Sequence, residues 1–537
     1  MTLYRLVDLA RSVASKYSRA KVREALPEDF QYIIDELLHT SGEEHDKQAY
    51  YQNIIGTVIE VGMAGAFIEA LCRLIKRMAV DRLHVVGDIY DRGARPDRIL
   101  DMLMEHHRVD IQWGNHDIVW MGAAAGSAVC VATVLNSALQ YNTLAIVENT
   151  YGISLRDLIG FAQETYKGCT WFMPRSEDDA YYVKNRMDTL SKAHKAIAII
   201  MFKLEGQLIR RHPEYGMDDR LLLEHIDYTA HTVTIDGQVY PLNDSHFPTV
   251  DPADPYRLSD GEASLMASLV GAFRRSPALR RHIEFLYTCG SLYRVCNGNL
   301  LFHGCIPLCA DGSFDTVRTF DGQSLAGRAY MDFCDRTARA AFYDGGQNEL
   351  DFMYYLWCGR QSPLFGRSRM TTFERYFVSD CSAWEEVKNP YYDLVVEYPA
   401  AAAILREFGL NERSAHIING HVPVRAAKGE HPVRADGRYI RIDGGFCRAY
   451  HDRTGIAGYT LIYSSRGLRL VSHSPFGGKD AAIRENRDIL ASSDVVFEMM
   501  PHRMLVRDTD EGAALLDRMS DLRALLDAYR EGVVSPD

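Results

Sequence analysis

Two short polar motifs, each ending an apolar run, constrain this chain more than anything else in it. Leu83-His84-Val85-Val86 leads into GDIYDRG, Gly87 to Gly93, and Asp110-Ile111-Gln112-Trp113 leads into GNHD, Gly114 to Asp117. Between them, Arg98 to His106 repeats apolar residues at helical spacing. Strand, helix and strand in that order form a βαβ unit, so both polar loops fall at the C-terminal ends of parallel strands, where open α/β sheets place their ligands. The two loops are expected to face one crevice.

The residue types in those loops suit a phosphate ester better than helix capping, the bland alternative. Asp88 offers a hard carboxylate that can bridge two cations, and Asn115 adds a neutral carbonyl oxygen that leaves the site net positive. Two metals about 3.5–4 Å apart can deprotonate a shared water, which then attacks phosphorus in line. An alkoxide leaves poorly without a proton, and His116, next to Asn115, is placed to supply one, with Asp91 to orient and charge it. Arg92 presents a fork of donors matched to two phosphoryl oxygens. Two later histidines stand apart from the other seventeen of the nineteen. His303 closes the apolar run NLLFHGCIPL, and His421 closes HIINGHVPV. Each is an imidazole at a strand terminus beside a glycine that permits close backbone approach, and each is expected to be a metal ligand.

The remaining sequence sorts into five stretches. Residues 1–80 read as helices, with Leu3, Leu6, Val7, Leu9 and Ala10 at helical spacing; residues 81–121 carry the two motifs. Residues 122–290 read as a mainly helical inserted lobe, including Leu190 to Arg210, with a hairpin at Thr232 to Tyr240 around Asp236-Gly237. Strand signals return within 291–480 and are expected to supply the antiparallel part of the core. Residues 481–537 read as a helical tail with Leu515, Leu516, Met519, Leu522 and Leu525 on a stripe.

Composition narrows the function classes. A formal charge of −12 disfavours nucleic acid, and no apolar run approaches the roughly 18 residues of a membrane span. The eleven cysteines lack paired Cys-x-x-Cys spacing, and the N-terminal residues lack a secretory signal pattern, so a cytoplasmic protein with reduced thiols is expected. An anionic small substrate would need cations gathered locally.

GDxxDRG, GNH[DE], a strand-end HG and a strand-end GH in this order resemble the phosphoprotein-phosphatase type of metallophosphoesterase. HHRVDIQWGNHDIVWMGAAAGS, YPLNDSHFPTVDP, LWCGRQSPLFGR, MTTFERYF and MLVRDTDEG narrow the resemblance to class III, manganese-type fructose-1,6-bisphosphatases, over nearly the whole chain. The resemblance implies a metallophosphoesterase-type β-sandwich core flanked by helices, an α/β fold with a large helical insertion. It implies a cytoplasmic gluconeogenic hydrolase of fructose 1,6-bisphosphate that uses two Mn2+ ions, with homo-oligomerisation left open. It also implies that Asp88 bridges the metals and that Asn115, His303 and His421 complete the second metal site. His116 becomes the general acid with Asp91 as its partner. Arg92 binds the transferring phosphate, and Arg360 or Arg367 supplies a second substrate contact.

In one respect the chain departs from that pattern. The family holds its first metal with an Asp-x-His-Gly motif ahead of the opening helices, and the one Asp-x-His here, Asp244-Ser245-His246, lies before a proline segment and reads as a loop. By this mapping the first metal keeps only Asp88, with activity expected to fall at least about a hundredfold if no such motif precedes Met1. Two other readings compete. A protein serine/threonine phosphatase shares the metal motifs, but the lobe from Gly122 to Cys289 is far longer than such enzymes carry there and suits a small-molecule pocket. A non-catalytic subunit that binds a sugar phosphate is the third, and it gains weight only if the motif is truly missing.

Overall fold

The computed structural model describes residues 2–39, 45–174, 187–443, 445, 447, 458–473, 478–485, 491–500 and 502–535. It is a mixed α/β chain that divides into two compact units, Met1–Val85 with Leu103–Asp110, and Val86–Met102 with Ile111–Asp537.

The first unit is a helical assembly, as the spacing of its apolar residues predicts. Helix α1 (Thr2–Ala14) buries Leu3, Val7 and Ala10, and helix α2 (Ala64–Ala79) buries Phe67, Leu71, Leu74 and Met78. These faces share one core with Ile34 and Leu37 of a shorter helix, Gln31–His39. Lys76 and Arg77 occupy the last turn of α2, where cations complement the carbonyl end of the helix dipole. Strand β1 (Leu83–Val85) follows, and Leu83 N–H donates to Arg108 O at 3.0 Å just ahead of β2 (Val109–Gln112).

In the second unit, Ile111 and Gln112 of β2 run parallel to Gly290–Ser291. Helix α3 (Asn115–Ala125) starts directly after that strand, and its residues from Asn115 to Ala123 are buried apart from His116. It opens the inserted lobe, which continues through α4 (Ala128–Gln140) and α5 (Met187–Arg211). The expected hairpin is present, with Thr232–Ile235 paired antiparallel to Gln238–Pro241. The lobe encloses an ion pair: Lys203 Nζ meets Glu262 Oε2 at 2.7 Å with both side chains fully buried. Asp244 of the Asp-Ser-His segment accepts from Lys195 Nζ at 2.6 Å and from His246 N–H at 2.8 Å. That is the loop the sequence suggests.

The principal sheet has five strands in the order β6-β7-β5-β4-β3, where β3 is Tyr293–Cys296, β4 Asn299–Phe302, β5 His416–Asn419, β6 Val433–Arg434 and β7 Tyr439–Arg441. The expectation of an antiparallel second half holds for Tyr293–Cys296 with Asn299–Phe302 and for Gly458–Ser464 with Gly467–His473, and is corrected for the centre of this sheet. The central strands β4, β5 and β7 are parallel, with Phe302 opposite Asn419 and Asn419 opposite Arg441, and only the outer strands β3 and β6 run antiparallel to their neighbours. The reason is the long connection from β4 to β5, which carries helices such as Gly327–Tyr343 and α6 (Gln347–Cys358) and returns the chain in the same direction. On one face, Leu301, Ile418 and Ile440 pack with Tyr459 and Leu470 from a second hairpin, β8 (Gly458–Ser464) and β9 (Gly467–His473).

The helical-tail reading of 481–537 is also corrected. A nine-residue strand, β10 (Ala491–Met499), lies within it and pairs antiparallel with β9, Val495 opposite Leu470. The β-branched and aromatic run Val495-Val496-Phe497 carries the strand preference that the leucine stripe obscured. Helix α7 (Asp510–Arg530) begins only after it, capped by Thr509 Oγ1 on Gly512 N–H.

Candidate metal and phosphate site

The sheet delivers its functional residues at the C-terminal ends of parallel strands. His303 follows β4, His421 follows β5 by two residues, and Asp443 follows β7 by two residues. Past β1, the chain turns through Gly87 and Asp88 in left-handed backbone conformations, φ 75° and 58°. His421 is left-handed as well, φ 64°, an uncommon state for a residue with a Cβ. Two glycines allow the close approach. A Cβ on Gly114 would lie 2.1 Å from Asp88 Oδ1, and one on Gly420 would lie 2.8 Å from Val86 O.

Asp117, fully buried, ties the two motif loops together. Its Oδ2 accepts from Asp88 N–H at 2.8 Å and Gly114 N–H at 2.9 Å, and its Oδ1 accepts from Tyr90 N–H at 3.1 Å. Burial, and then the neighbouring Asp88 charge, pushes the Asp117 carboxyl up to about 6. The sequence reading gave Asp117 no role beyond membership of GNHD.

The histidines are oriented by backbone carbonyls. A carbonyl only accepts, so His303 Nδ1 donates to Val86 O at 2.9 Å and His421 Nε2 donates to Phe365 O at 3.0 Å. The other ring nitrogens, His303 Nε2 and His421 Nδ1, are thereby turned toward each other at 3.2 Å, and His303 Nε2 also lies 3.2 Å from Asp88 Oδ2. These three residues form one group whose ligand atoms lie within 4.8 Å of one another. Asn115 sits between Gly114, which touches Asp88, and His116, whose N–H donates to Asp88 Oδ1 at 3.1 Å. Asn115 Oδ1 is buried and accepts no hydrogen bond from the described residues.

Two lone-pair nitrogens and a carboxylate gathered in one place fit a divalent cation, because each is an acceptor, and the unpartnered Asn115 Oδ1, next in sequence to residues touching Asp88, is a further acceptor. Without one, the charges settle as burial and proximity dictate. Burial and the like charge of His303 push His421 down to about 3. Burial opposes the charge on His303, but Asp88 outweighs it and pushes His303 up to about 9. Asp88 is correspondingly held well below the usual carboxylate range despite its burial.

His116 and Asp91 form the expected pair, with Nε2 3.2 Å from Asp91 Oδ1. The His116 ring meets Trp357 edge to face at 4.9 Å. The Arg92 guanidinium lies 4.7 Å above the Tyr141 ring, and its Nε is 3.7 Å from Asp91 Oδ1. Asp91, Arg92, His116, Ser137, Tyr141 and Trp357 line a narrow cleft between the motif loops and the lobe. Of the two arginines offered for a second substrate contact, Arg367 bears on the protonation of His421 and pairs with Glu386 Oε2 at 3.1 Å. Arg360 is exposed past the end of α6, and no contact among the described residues ties it to the group. Asp443, which sequence reasoning passed over, is pushed up to about 6 chiefly by burial and responds to the charges of His303, Asp88 and Asp91. Its signal was its place at the end of a third apolar strand, YIRID.

Comparison with known proteins sets this geometry in a family. The family described as Firmicute fructose-1,6-bisphosphatase matches residues 1–531. A protein of Clostridium novyi (strain NT) named fructose-1,6-bisphosphatase class 3 is 50% identical over 541 residues, covering 99% of this chain and 81% of its own. A protein of the same name from Listeria monocytogenes serotype 4b is 49% identical over 540 residues, covering 99% and 82%, and one from Clostridium acetobutylicum is 49% identical over 541 residues, covering 99% and 81%. No solved structure matches. With the match running from the first helix to the last and taking in both motif loops, the chain belongs to the Firmicute fructose-1,6-bisphosphatase family.

Proposed function

We propose that this protein hydrolyses fructose 1,6-bisphosphate to fructose 6-phosphate and phosphate. The observation that carries the reading is the convergence of His303 Nε2, His421 Nδ1 and Asp88 on one point beside the His116–Asp91 pair, in a chain of this family. Asp88, Asn115, His303 and His421 would hold a divalent cation, Mn2+ by family resemblance. Such a cation supplies Lewis acidity toward the phosphate ester and lowers the pKa of water.

The remaining work falls to the protein's own groups. Arg92, steadied on Tyr141, offers its fork to the oxygens of the transferring phosphate. As water adds to phosphorus and the C1–O–P bond breaks at phosphorus, the departing C1 oxygen takes a proton from His116. Asp91 holds Nε2 of that ring, leaving Nδ1 as the atom that delivers the proton. Trp357 closes one side of the cleft and limits the ring's freedom.

The two-layer packing of β4, β5 and β7 against β8 and β9 supports a metallophosphoesterase-type sandwich core. Among the described residues no single helix is long and apolar enough to cross a membrane. The cytoplasmic reading rests on eleven thiols, none joined in a disulfide. The test is phosphate release by chelator-stripped protein reloaded with Mn2+, using fructose 1,6-bisphosphate and a phosphoserine peptide side by side. Turnover of the bisphosphate at the higher kcat/KM is expected; preference for the peptide, or no release from the bisphosphate, refutes the proposal.

A further inference from the structure

Fructose 1,6-bisphosphate carries two phosphates, and the site described so far accounts for the one that is transferred. A second anion needs its own cations, which an acidic chain of net charge −12 must concentrate locally. They are found on the loop that follows β5, at the end of β7 and on the segment that carries Arg367 and Lys388. Arg367 and Lys388 lie opposite each other across an antiparallel bridge. Arg425 Nε and Arg441 Nη2 both reach Glu430, each at 2.8 Å. Glu386 is shared as well, by Arg367 at 3.1 Å and by Arg375 at 3.5 Å. Four arginines therefore draw on two carboxylates, and Lys388 has no ion pair among the described residues.

Lys388 is exposed, yet partial burial and then the like charges of Arg367, Arg425 and Arg441 hold its ammonium below the usual lysine range. Asp393 offsets part of that repulsion, and a cation with three cations about it is further stabilised by an incoming anion. The cluster is continuous with the metal site. The Lys388 ammonium stands 5.9 Å from the centre of the Tyr392 ring, and that ring stacks on His421 at 6.4 Å with an interplanar angle of 27°.

We infer that Lys388, supported by Arg367, Arg425 and Arg441, binds the phosphate of the sugar bisphosphate that is not hydrolysed, so that this cluster selects a bisphosphate over a monophosphate. The inference rests on the proposed reaction and adds the residue that reads the far end of its substrate. Lys388 touches no reacting atom in this role. Its loss should weaken binding and leave the chemical step alone.

The test is steady-state kinetics of Lys388→Met and Lys388→Arg with Mn2+ on fructose 1,6-bisphosphate and on p-nitrophenyl phosphate, which has no second phosphate. For Lys388→Met, KM for the bisphosphate should rise about tenfold or more, the usual worth of a hydrogen bond between charged groups. kcat, and both constants for p-nitrophenyl phosphate, should stay within about twofold, and Lys388→Arg should keep most of the affinity. An unchanged KM for the bisphosphate, or an equal loss on both substrates, overturns the inference. A wild-type protein that hydrolyses p-nitrophenyl phosphate but not the bisphosphate would instead overturn the proposed function, and the inference with it.

Discussion

Replacing His116 by asparagine isolates the proton donor from the rest of the site. Only the side chain of His116 engages Asp91 and Trp357, whereas its contact with Asp88 is made by the backbone N–H at 3.1 Å and survives any substitution. The residues proposed to hold the cation, and Arg92, are untouched. Removing a positioned general acid costs about 10²–10⁴ in rate, or roughly 3–5 kcal/mol of transition-state stabilisation at 1.36 kcal/mol per decade. That cost applies in full when the leaving group is the C1 alkoxide of a sugar. It largely vanishes when the leaving group is p-nitrophenolate, which departs without a proton. His116→Asn should therefore lose at least about a hundredfold in kcat on fructose 1,6-bisphosphate and less than about fivefold on p-nitrophenyl phosphate, both with saturating Mn2+. Asp91→Asn should move in the same direction, because the ring it orients remains. Equal losses on the two substrates would show that His116 holds the phosphate or the cation and would refute its assignment as the acid.

Other parts of the site give shorter predictions. His421→Ala removes one of two imidazoles and should weaken Mn2+ binding by at least about 100-fold in titration calorimetry, with an unchanged far-ultraviolet circular dichroism spectrum. Asp117→Ala strands three N–H groups, those of Asp88, Gly114 and Tyr90, and should cost at least about 3 kcal/mol in urea denaturation at about 1–3 kcal/mol per orphaned group. The chelated protein should be most stable near pH 6.5 as far as this histidine pair is concerned. His421, held down to about 3, binds fewer protons folded than unfolded between about 3 and 6.5, so stability falls as the pH drops through that range. His303, raised to about 9, contributes stability that is full below about 6.5 and lost as the pH climbs toward 9. Saturating Mn2+ should abolish the alkaline loss, since ligation requires neutral His303, and denaturant melts across pH with and without the ion check both limbs.

How much of this was legible in the sequence depends on how local each signal was. Asp88, Asp91, Arg92, Asn115 and His116 sit in two contiguous motifs, and the strand–helix–strand period alone placed both loops at strand ends. His303 and His421 could be picked from nineteen histidines because each ends an apolar run beside a glycine. Asp117 was in plain view, but its three backbone partners come from two loops, and only the fold joins them. Lys388 carries no sequence mark beyond its type, and Asp443 only its place at the end of the strand YIRID; of the two arginines expected for a second contact, Arg367 lies opposite Lys388 in the cluster. The parallel order of β4, β5 and β7 was missed because four-residue strands look alike in either direction, and only the connections between them decide the sense. Strand β10 was missed because the leucine stripe of α7 dominates its neighbourhood.

The backbone at this site is shaped against its own preference, and the sense of that cost follows from what must be aimed. Asp88 and His421 each adopt a left-handed conformation that costs a residue with a Cβ about 1–2 kcal/mol. Glycine would relieve the cost at either position, but it has no carboxylate or imidazole to offer. The turn at Asp88 lets one residue present its backbone N–H to Asp117 and its carboxylate to His303 and the His116 N–H. The turn at His421 lets its ring donate to Phe365 O while Nδ1 faces His303. In regular strand geometry successive side chains alternate faces, so ligands from neighbouring strand ends would not all converge. The strain thus serves convergence, and a cation held by Asp88, His303 and His421 would offset it.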